Sequence, residues 1–328
     1  MNSSDELICL LKRASISYDL DVDLKRKTWI KRGGIASIWI EPKTLEEMLQ
    51  ALSMTEECGL PMEILGGSSN CYFQADYHPP VVLSTLHMRE MSQQGDFLVC
   101  LCGCRMIDVS KWAIEHGYEG YEGFISLPGT VAGAAINNAG CYGSLISDCI
   151  EDVDVYAEGK RIRLSNADLE YRHRSSKLKR NPGEMVVLTV RFRLSKKNDP
   201  NRLQERALEY KRLRRSSQEH QYPNLGSTFS ILKSSRKPFV RWLQLFVMRA
   251  FIHVMPIPVG AKNELLTRSV LAIYKAGALK KYISKYSIGC FIWSDDEADR
   301  YFFDYIRFVQ QIHEQAVLEI EIKDGKRK

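Results

Sequence analysis

The run "SLPGTVAGAAINNAGCYG", Ser126 to Gly143, limits what this chain can fold into more than any other stretch. It holds four glycines, four alanines and two adjacent asparagines, and no charged residue. So much bare backbone suits a turn where a ligand or a second loop must approach the main chain closely. Amides clustered in such a turn reach phosphate oxygens, and the alanines clear room for a planar ring or a pyrophosphate. A shorter companion, "ILGGSSN" at Ile64 to Asn70, also follows β-like sequence. Neither segment is G-x-G-x-x-G or G-x-x-x-x-G-K-[ST], so the Rossmann and P-loop fingerprints are both missing. Each taken alone also reads as a tight structural turn.

Short β-rich runs, among them "IASIWIEP", "PVVLSTL", "DFLVCLCGC" and "EMVVLTVRFRLS", alternate over the first 200 residues with helical patterns such as "TLEEMLQALSMTEECG". This is mixed α/β sequence. The polar, proline-containing "KKNDPNR" at Lys196 to Arg202 marks a domain boundary. A basic helix is expected from about Pro200, and a later one in "SDDEADRYFFDYIRFVQQIHEQ", with Ser294 as its cap and acids in its first turn. "VLEIEI" then reads as one strand. In "CLCGC", Cys100, Cys102 and Cys104 share one face of a strand, and with no histidine beside them they read as buried core, not as a metal site.

At 328 residues, 45% hydrophobic and 26% charged, the chain has material for more than one buried core. Nine cysteines at irregular spacing suit reduced thiols, and acids before a short apolar patch are the wrong order for a secretory signal. A cytoplasmic protein is expected. The net charge of +6 gathers in "YKRLRR", "SKLKR" and "KDGKRK", which read as solvated faces or as contacts for anionic partners. No finger, RNP or helix-turn-helix pattern accompanies them, so nucleic acid is not an expected partner.

Taken together, "GGIASIWIEPKTLEEM", "LGGSSN", "LPGTVAGAAINNAGCYG", "HRSSKLK", "NLGSTF" and "LEIEI" resemble, in order and approximate spacing, the FAD-dependent UDP-N-acetylenolpyruvoylglucosamine reductases, the MurB family. The resemblance runs from about Gly33 to Glu321. It implies an α+β fold: an FAD-binding domain of the vanillyl-alcohol-oxidase (PCMH) type at residues 1–197, in two subdomains of about 1–85 and 86–197. A smaller C-terminal substrate-binding domain would follow at 198–328. Gly66, Gly67, Ser69 and Asn70 would form a first pyrophosphate loop. Gly129, Thr130, Gly133, Asn138, Ala139 and Gly140 would form a second. Ser68 stands where the family has glycine.

The same resemblance implies a reductase that takes hydride from NADPH through FAD to the enolpyruvyl double bond of a nucleotide sugar, in peptidoglycan precursor synthesis. Such chemistry needs a proton donor and charge stabilisers around the carboxylate. Ser227 in "NLGSTF" matches the family's proton-donating serine, and Glu321 in "LEIEI" its glutamate. Arg174 in "HRSSKLK" matches the arginine that holds the carboxylate, with Arg172 as the competing choice. Arg215 falls where the family has a substrate-side lysine. Without the resemblance, Ser227 reads as turn chemistry, Arg174 as a surface arginine and Glu321 as part of an edge strand.

Two departures stand out. Ile231 in "FSIL" occupies the position of a polar active-site asparagine. Residues 233–262 have no counterpart in the family pattern, and within them Phe239 to Ile252 is helical in pattern, apolar, and too short and too charged to span a bilayer. Core packing, a membrane surface or a protein partner each suit that insert. Alternatives to the standard reaction are a paralogue acting on another nucleotide sugar, for a surface polysaccharide, and a non-catalytic flavin-binding protein.

Overall fold

A computed structural model describes residues 2–194, 196–231 and 239–325, with no side-chain account of 231, 239–245 or 259. The chain forms two compact units. The first comprises Met1–Thr28, Gly33–Ser69 and Asp76–Lys211; the second comprises Trp29–Arg32, Asn70–Ala75 and Arg212–Lys328. The break between them therefore falls inside the helix Pro200–Ser217, not at the polar stretch before it, and two short N-terminal segments belong to the second unit.

The first unit is built on two large sheets. One orders Tyr18–Asp23, Ile35–Ile40, Val81–Ser84 and Met62–Leu65, antiparallel at its first pair and parallel thereafter. Val81–Ser84 is buried along its whole length, as a central parallel strand covered on both faces should be. The helix Leu45–Glu57 turns Met48, Ala51, Leu52 and Thr55 inward at helical spacing, and Thr44 caps it by accepting from the Glu47 N–H. The other sheet is antiparallel, ordered Lys160–Ser165, Ile150–Ala157, Val186–Arg193, Phe97–Leu101 and Met91–Gln94. The first sheet uses only strands before residue 85 and the second only strands after residue 90.

Cys100, Cys102 and Cys104 are buried in the core of this unit. Burial pushes the Cys102 thiol up to about 12, which keeps it protonated and inert. In the second sheet, buried Asp154 accepts hydrogen bonds from Arg163 and from Thr189 and pairs with Arg161. Burial alone would raise its carboxyl, but these donors outweigh it and hold the group at about 2.

The second unit packs around the helix Ala298–Ile312, whose Phe302, Tyr305 and Val309 are fully buried. Tyr72 lies 4.5 Å from the Phe302 ring, and Phe291 5.1 Å. Two sequence expectations change here. The helix begins at Ala298, and Ser294 is not its cap; Ser294 donates to the Lys281 carbonyl instead. Asp295 makes the entry turn, its carboxylate accepting from the Glu297 N–H. "VLEIEI" is not one strand. Val317–Leu318 pairs antiparallel with Phe229–Ile231, whereas Glu321–Lys323 pairs parallel with Cys71–Phe73. The change of partner breaks the alternation expected of a single strand.

Candidate functional site: two glycine loops and a serine turn

The first glycine loop leaves the end of strand Met62–Leu65 and the second leads into the helix Val131–Asn137. The two pack directly on one another. A Cβ at Gly66 would lie 2.7 Å from Thr130 Oγ1, and one at Gly67 only 3.1 Å from Gly129 Cα. At Gly129, where φ is +99°, a Cβ would come within 2.9 Å of Ser69 Oγ. Only glycine allows this approach. Ser68 is the residue of the first loop with left-handed φ, +48°, at the position where the family pattern has glycine.

The amides at the helix start are already used. Val131 donates to the Cys104 carbonyl at 2.8 Å, Ala132 to that of Cys102, and Gly133 to Thr130 Oγ1 at 3.3 Å. At the other end Asn138 adopts φ +44° and closes the helix, and Ala139 N–H donates to the Ala134 carbonyl at 3.0 Å. Thr130, Gly133, Asn138 and Ala139 thus shape the loop, while the Gly66–Ser69 and Gly129 turns supply the bare backbone.

Asn138 also reaches outward: its Nδ2 donates to the Arg172 carbonyl at 2.9 Å. Ser176 Oγ donates to the Ile136 carbonyl at 2.7 Å and accepts from the Lys179 N–H, capping the short helix Lys177–Arg180. These two contacts stitch the basic loop to the end of the second glycine segment. Arg174, with φ +53°, is turned so that its Nη1 lies 3.9 Å from where a Gly140 Cβ would stand. Arg172 is exposed and contributes its carbonyl. Arg174 thus brings its guanidinium, and Arg172 its carbonyl, to the second glycine segment. Asn138 as a tether and Ser176 as an anchor were missed by sequence reasoning, although a serine just before "KLK" is a cap signal.

The remaining predicted residues belong to the second unit. Ser227 is exposed and follows Gly226, whose φ is +72°. Next to it, the Thr228 carbonyl accepts from the Glu319 N–H at 2.9 Å. Asn70 Nδ2 donates to the Glu319 carbonyl at 3.1 Å, and the Asn70 carbonyl accepts from the Glu321 N–H at 2.9 Å. One hydrogen-bonded ladder thus ties the serine turn, Asn70 and Glu321 together. Glu321 is half-buried and pairs with Lys323 at 3.7 Å, a cation the sequence reading did not single out. Arg215 is exposed in the last turn of the basic helix.

The first unit suits FAD on its own geometry. Two close-packed glycine turns offer main chain to a pyrophosphate, and beside them Ser126 Oγ and Asn137 Oδ1 are buried without a hydrogen-bond partner among the described residues. Residues 36–165 match the family described as "FAD binding domain", a span that contains both loops. The UDP-N-acetylenolpyruvoylglucosamine reductase of Caldicellulosiruptor saccharolyticus is 31% identical over 220 residues, 67% of this chain and 71% of that protein. The enzyme of that name from Exiguobacterium sibiricum is 32% identical over 207 residues, 63% of this chain and 67% of its own. In fold, the chain is similar to the crystal structure of the Thermus caldophilus reductase, at TM-score 0.65 and 20% identity, covering 94% of this chain and 99% of that one. Close-packed glycine turns, an FAD-binding match over them and relatives of one name lead to one conclusion: this chain is an FAD-dependent oxidoreductase and belongs to the UDP-N-acetylenolpyruvoylglucosamine reductase family.

Proposed function

We propose that the protein reduces the enolpyruvyl group of UDP-N-acetylglucosamine enolpyruvate to give UDP-N-acetylmuramate, with NADPH as electron donor. The observation that carries this reading is Arg174 beside Gly140, a guanidinium at the rim of the flavin loop where a substrate carboxylate needs one. When bound, FAD supplies the hydride for the β-carbon. Gly66, Gly67, Ser69 and Gly129 would hold its pyrophosphate, and Thr130, Gly133, Asn138, Ala139 and Gly140 would keep that loop in shape.

The chain's own residues then handle charge and the proton. Arg174 holds the carboxylate as a two-pronged donor, so that the negative charge developing there is neutralised as it forms. Ser227 gives its hydroxyl proton to the α-carbon, and Arg215 steadies the resulting alkoxide. Glu321, its charge balanced by Lys323, accepts a hydrogen bond from a hydroxyl of the enediol form of the intermediate. Hydride plus proton equals the two hydrogens gained, and NADP⁺ leaves as the oxidised product.

Ile231 in place of a polar residue favours a second reading, in which another nucleotide sugar is the preferred substrate. Steady-state NADPH oxidation with and without the enolpyruvyl compound separates the two. Saturable, substrate-dependent oxidation is expected. Oxidation that this compound never accelerates, but that a different nucleotide sugar does, would move the assignment to the second reading.

A further inference from the structure

The helices Phe239–Val254 and Val259–Ile273 pack together as a hairpin of the second unit. From His220 to Asn263 the sequence contains no Asp or Glu, although the whole chain averages one acid in about every eight residues. The same stretch carries Lys233, Arg236, Lys237, Arg241, Arg249 and Lys262. This is one-sided charge, built without the counter-ions that ordinary surface helices intersperse.

On the described part of the first helix, Val247, Phe251 and Val254 are 57%, 65% and 77% exposed, while Ile252 is only 4% exposed. Phe246 and Ala250 are exposed as well. At the helical repeat these five exposed positions fall within an arc of roughly 140°, with Arg249 and His253 along one edge and Ile252 on the far side. Lys262 Nζ donates to the His253 carbonyl at 2.8 Å, which places another cation at the end of this helix. An exposed apolar arc with cations at its edge and no acid on its own helix is the pattern of a helix that lies in the headgroup boundary of a bilayer; Glu264, on the second helix, is paired with Arg268 at 4.0 Å. No helix among the described residues is long and apolar enough to cross one.

We propose that this hairpin docks the protein on the surface of an anionic lipid bilayer. Val247, Phe251 and Val254 enter the boundary between headgroups and acyl chains, and Arg249 and Lys262 attract the lipid phosphates. Charge decides against a second copy as the occupant. A two-fold pairing of this face would set the same cations against each other with no acid from His220 to Asn263 to offset them.

The test is sedimentation of the flavin-loaded full chain with phosphatidylcholine vesicles, pure or containing about 30 mol% phosphatidylglycerol. Binding is expected with the anionic vesicles alone and should fall as salt rises. Phe251→Asp with Val254→Asp should weaken it at least tenfold, and Arg249→Gln should weaken it several-fold. Flavin content and far-ultraviolet circular dichroism check that each variant folds; Arg249→Gln with Val247→Ser provides a milder pair if the double aspartate variant does not. Absence of binding, equal binding to both vesicles, or binding that folded variants leave unchanged would overturn the proposal. So would a lipid-free dimer that Arg249→Gln with Val247→Ser dissociates, which would assign the face to a second copy.

Discussion

The two glycine loops and the serine turn are built on opposite principles. In the first unit, a carbon added at Gly66, Gly67 or Gly129 would crowd Thr130, Gly129 or Ser69 at 2.7–3.1 Å, and the helix that follows has its first amides tied to the Cys102 and Cys104 carbonyls. In the second unit, Ser227 is exposed on a turn held by backbone bonds to Gly289 and Glu319. A cofactor site profits from the first arrangement, because rigid backbone aimed at a pyrophosphate is preorganised before binding. On the proposed function, a serine that meets substrate and releases product would profit from the second. Steric exclusion should therefore make the first region intolerant of any bulk, and the second tolerant of everything except loss of a specific functional group.

The largest expected effect breaks the first region. Gly129→Val or Gly67→Val should yield protein that retains no flavin after purification, since the added side chain forces the loops apart. Gly133→Ala sharpens the contrast. Its Cβ meets only Thr130 Oγ1, at an ordinary 3.6 Å, so loss of flavin there would mean that the ligand itself passes over Gly133. Flavin absorbance per protein checks both.

Next in size, Glu321→Gln should leave reduction of the flavin by NADPH near the wild-type rate while slowing reoxidation by substrate about 10²-fold, as loss of a charged group acting late in the reaction would. Rapid-mixing absorbance separates the two steps. If both slowed equally, the division between regions would fail.

A smaller effect distinguishes the two arginines. Arg174→Lys keeps the charge but loses the fork, and KM for the enolpyruvyl compound should rise about tenfold. Arg172→Ala keeps the carbonyl that receives the Asn138 hydrogen bond, so KM should change less than about twofold. The reverse outcome would exchange their roles.

The smallest effect concerns the frame of the first region. Asp154 is depressed from 3.8 to about 2, so its contribution is fully present above pH 3.8 and is lost as pH falls through about 2. At neutral pH Asp154→Asn should cost about 2 kcal/mol of stability, and the gap from wild type should close toward pH 2. Denaturant melts across that range measure it. Flavin content should not change, because the cluster supports the sheet and not the loops.

The glycine loops were legible in the sequence because glycine's constraint is local: a short run of small residues needs no knowledge of distant contacts. Most strands of both sheets were legible through alternation and runs of branched residues, but the acid-rich Tyr18–Asp23 was missed, since aspartate is disfavoured in strands, and so was the polar Met91–Gln94, which carries neither signal. What escaped depends on partners far along the chain. Ser294 was read as a cap, but Lys281 claims its hydroxyl and Asp295 makes the turn. "LEIEI" was read as one strand, but Phe229 and Cys71 each recruit half of its length. Trp29 donates to the Asn224 carbonyl and Arg32 pairs with Asp299, which draws an N-terminal segment into the second unit. Within the site, Arg174 was already preferred over Arg172 from its place in "HRSSKLK"; the left-handed turn at Arg174 and the Asn138 bond to the Arg172 carbonyl were not legible there.

The central claim is that the glycine loops serve the flavin and the serine turn serves the substrate. Anaerobic half-reactions of wild type and Ser227→Ala, followed by flavin absorbance, test it most directly. NADPH should bleach both proteins at similar rates. Added UDP-N-acetylglucosamine enolpyruvate should restore the colour of wild type quickly and that of Ser227→Ala about 10²–10⁴-fold more slowly, as when a positioned proton donor is removed. Equal recovery in the two proteins, or a wild-type protein that stays colourless when supplied with FAD, would contradict the account.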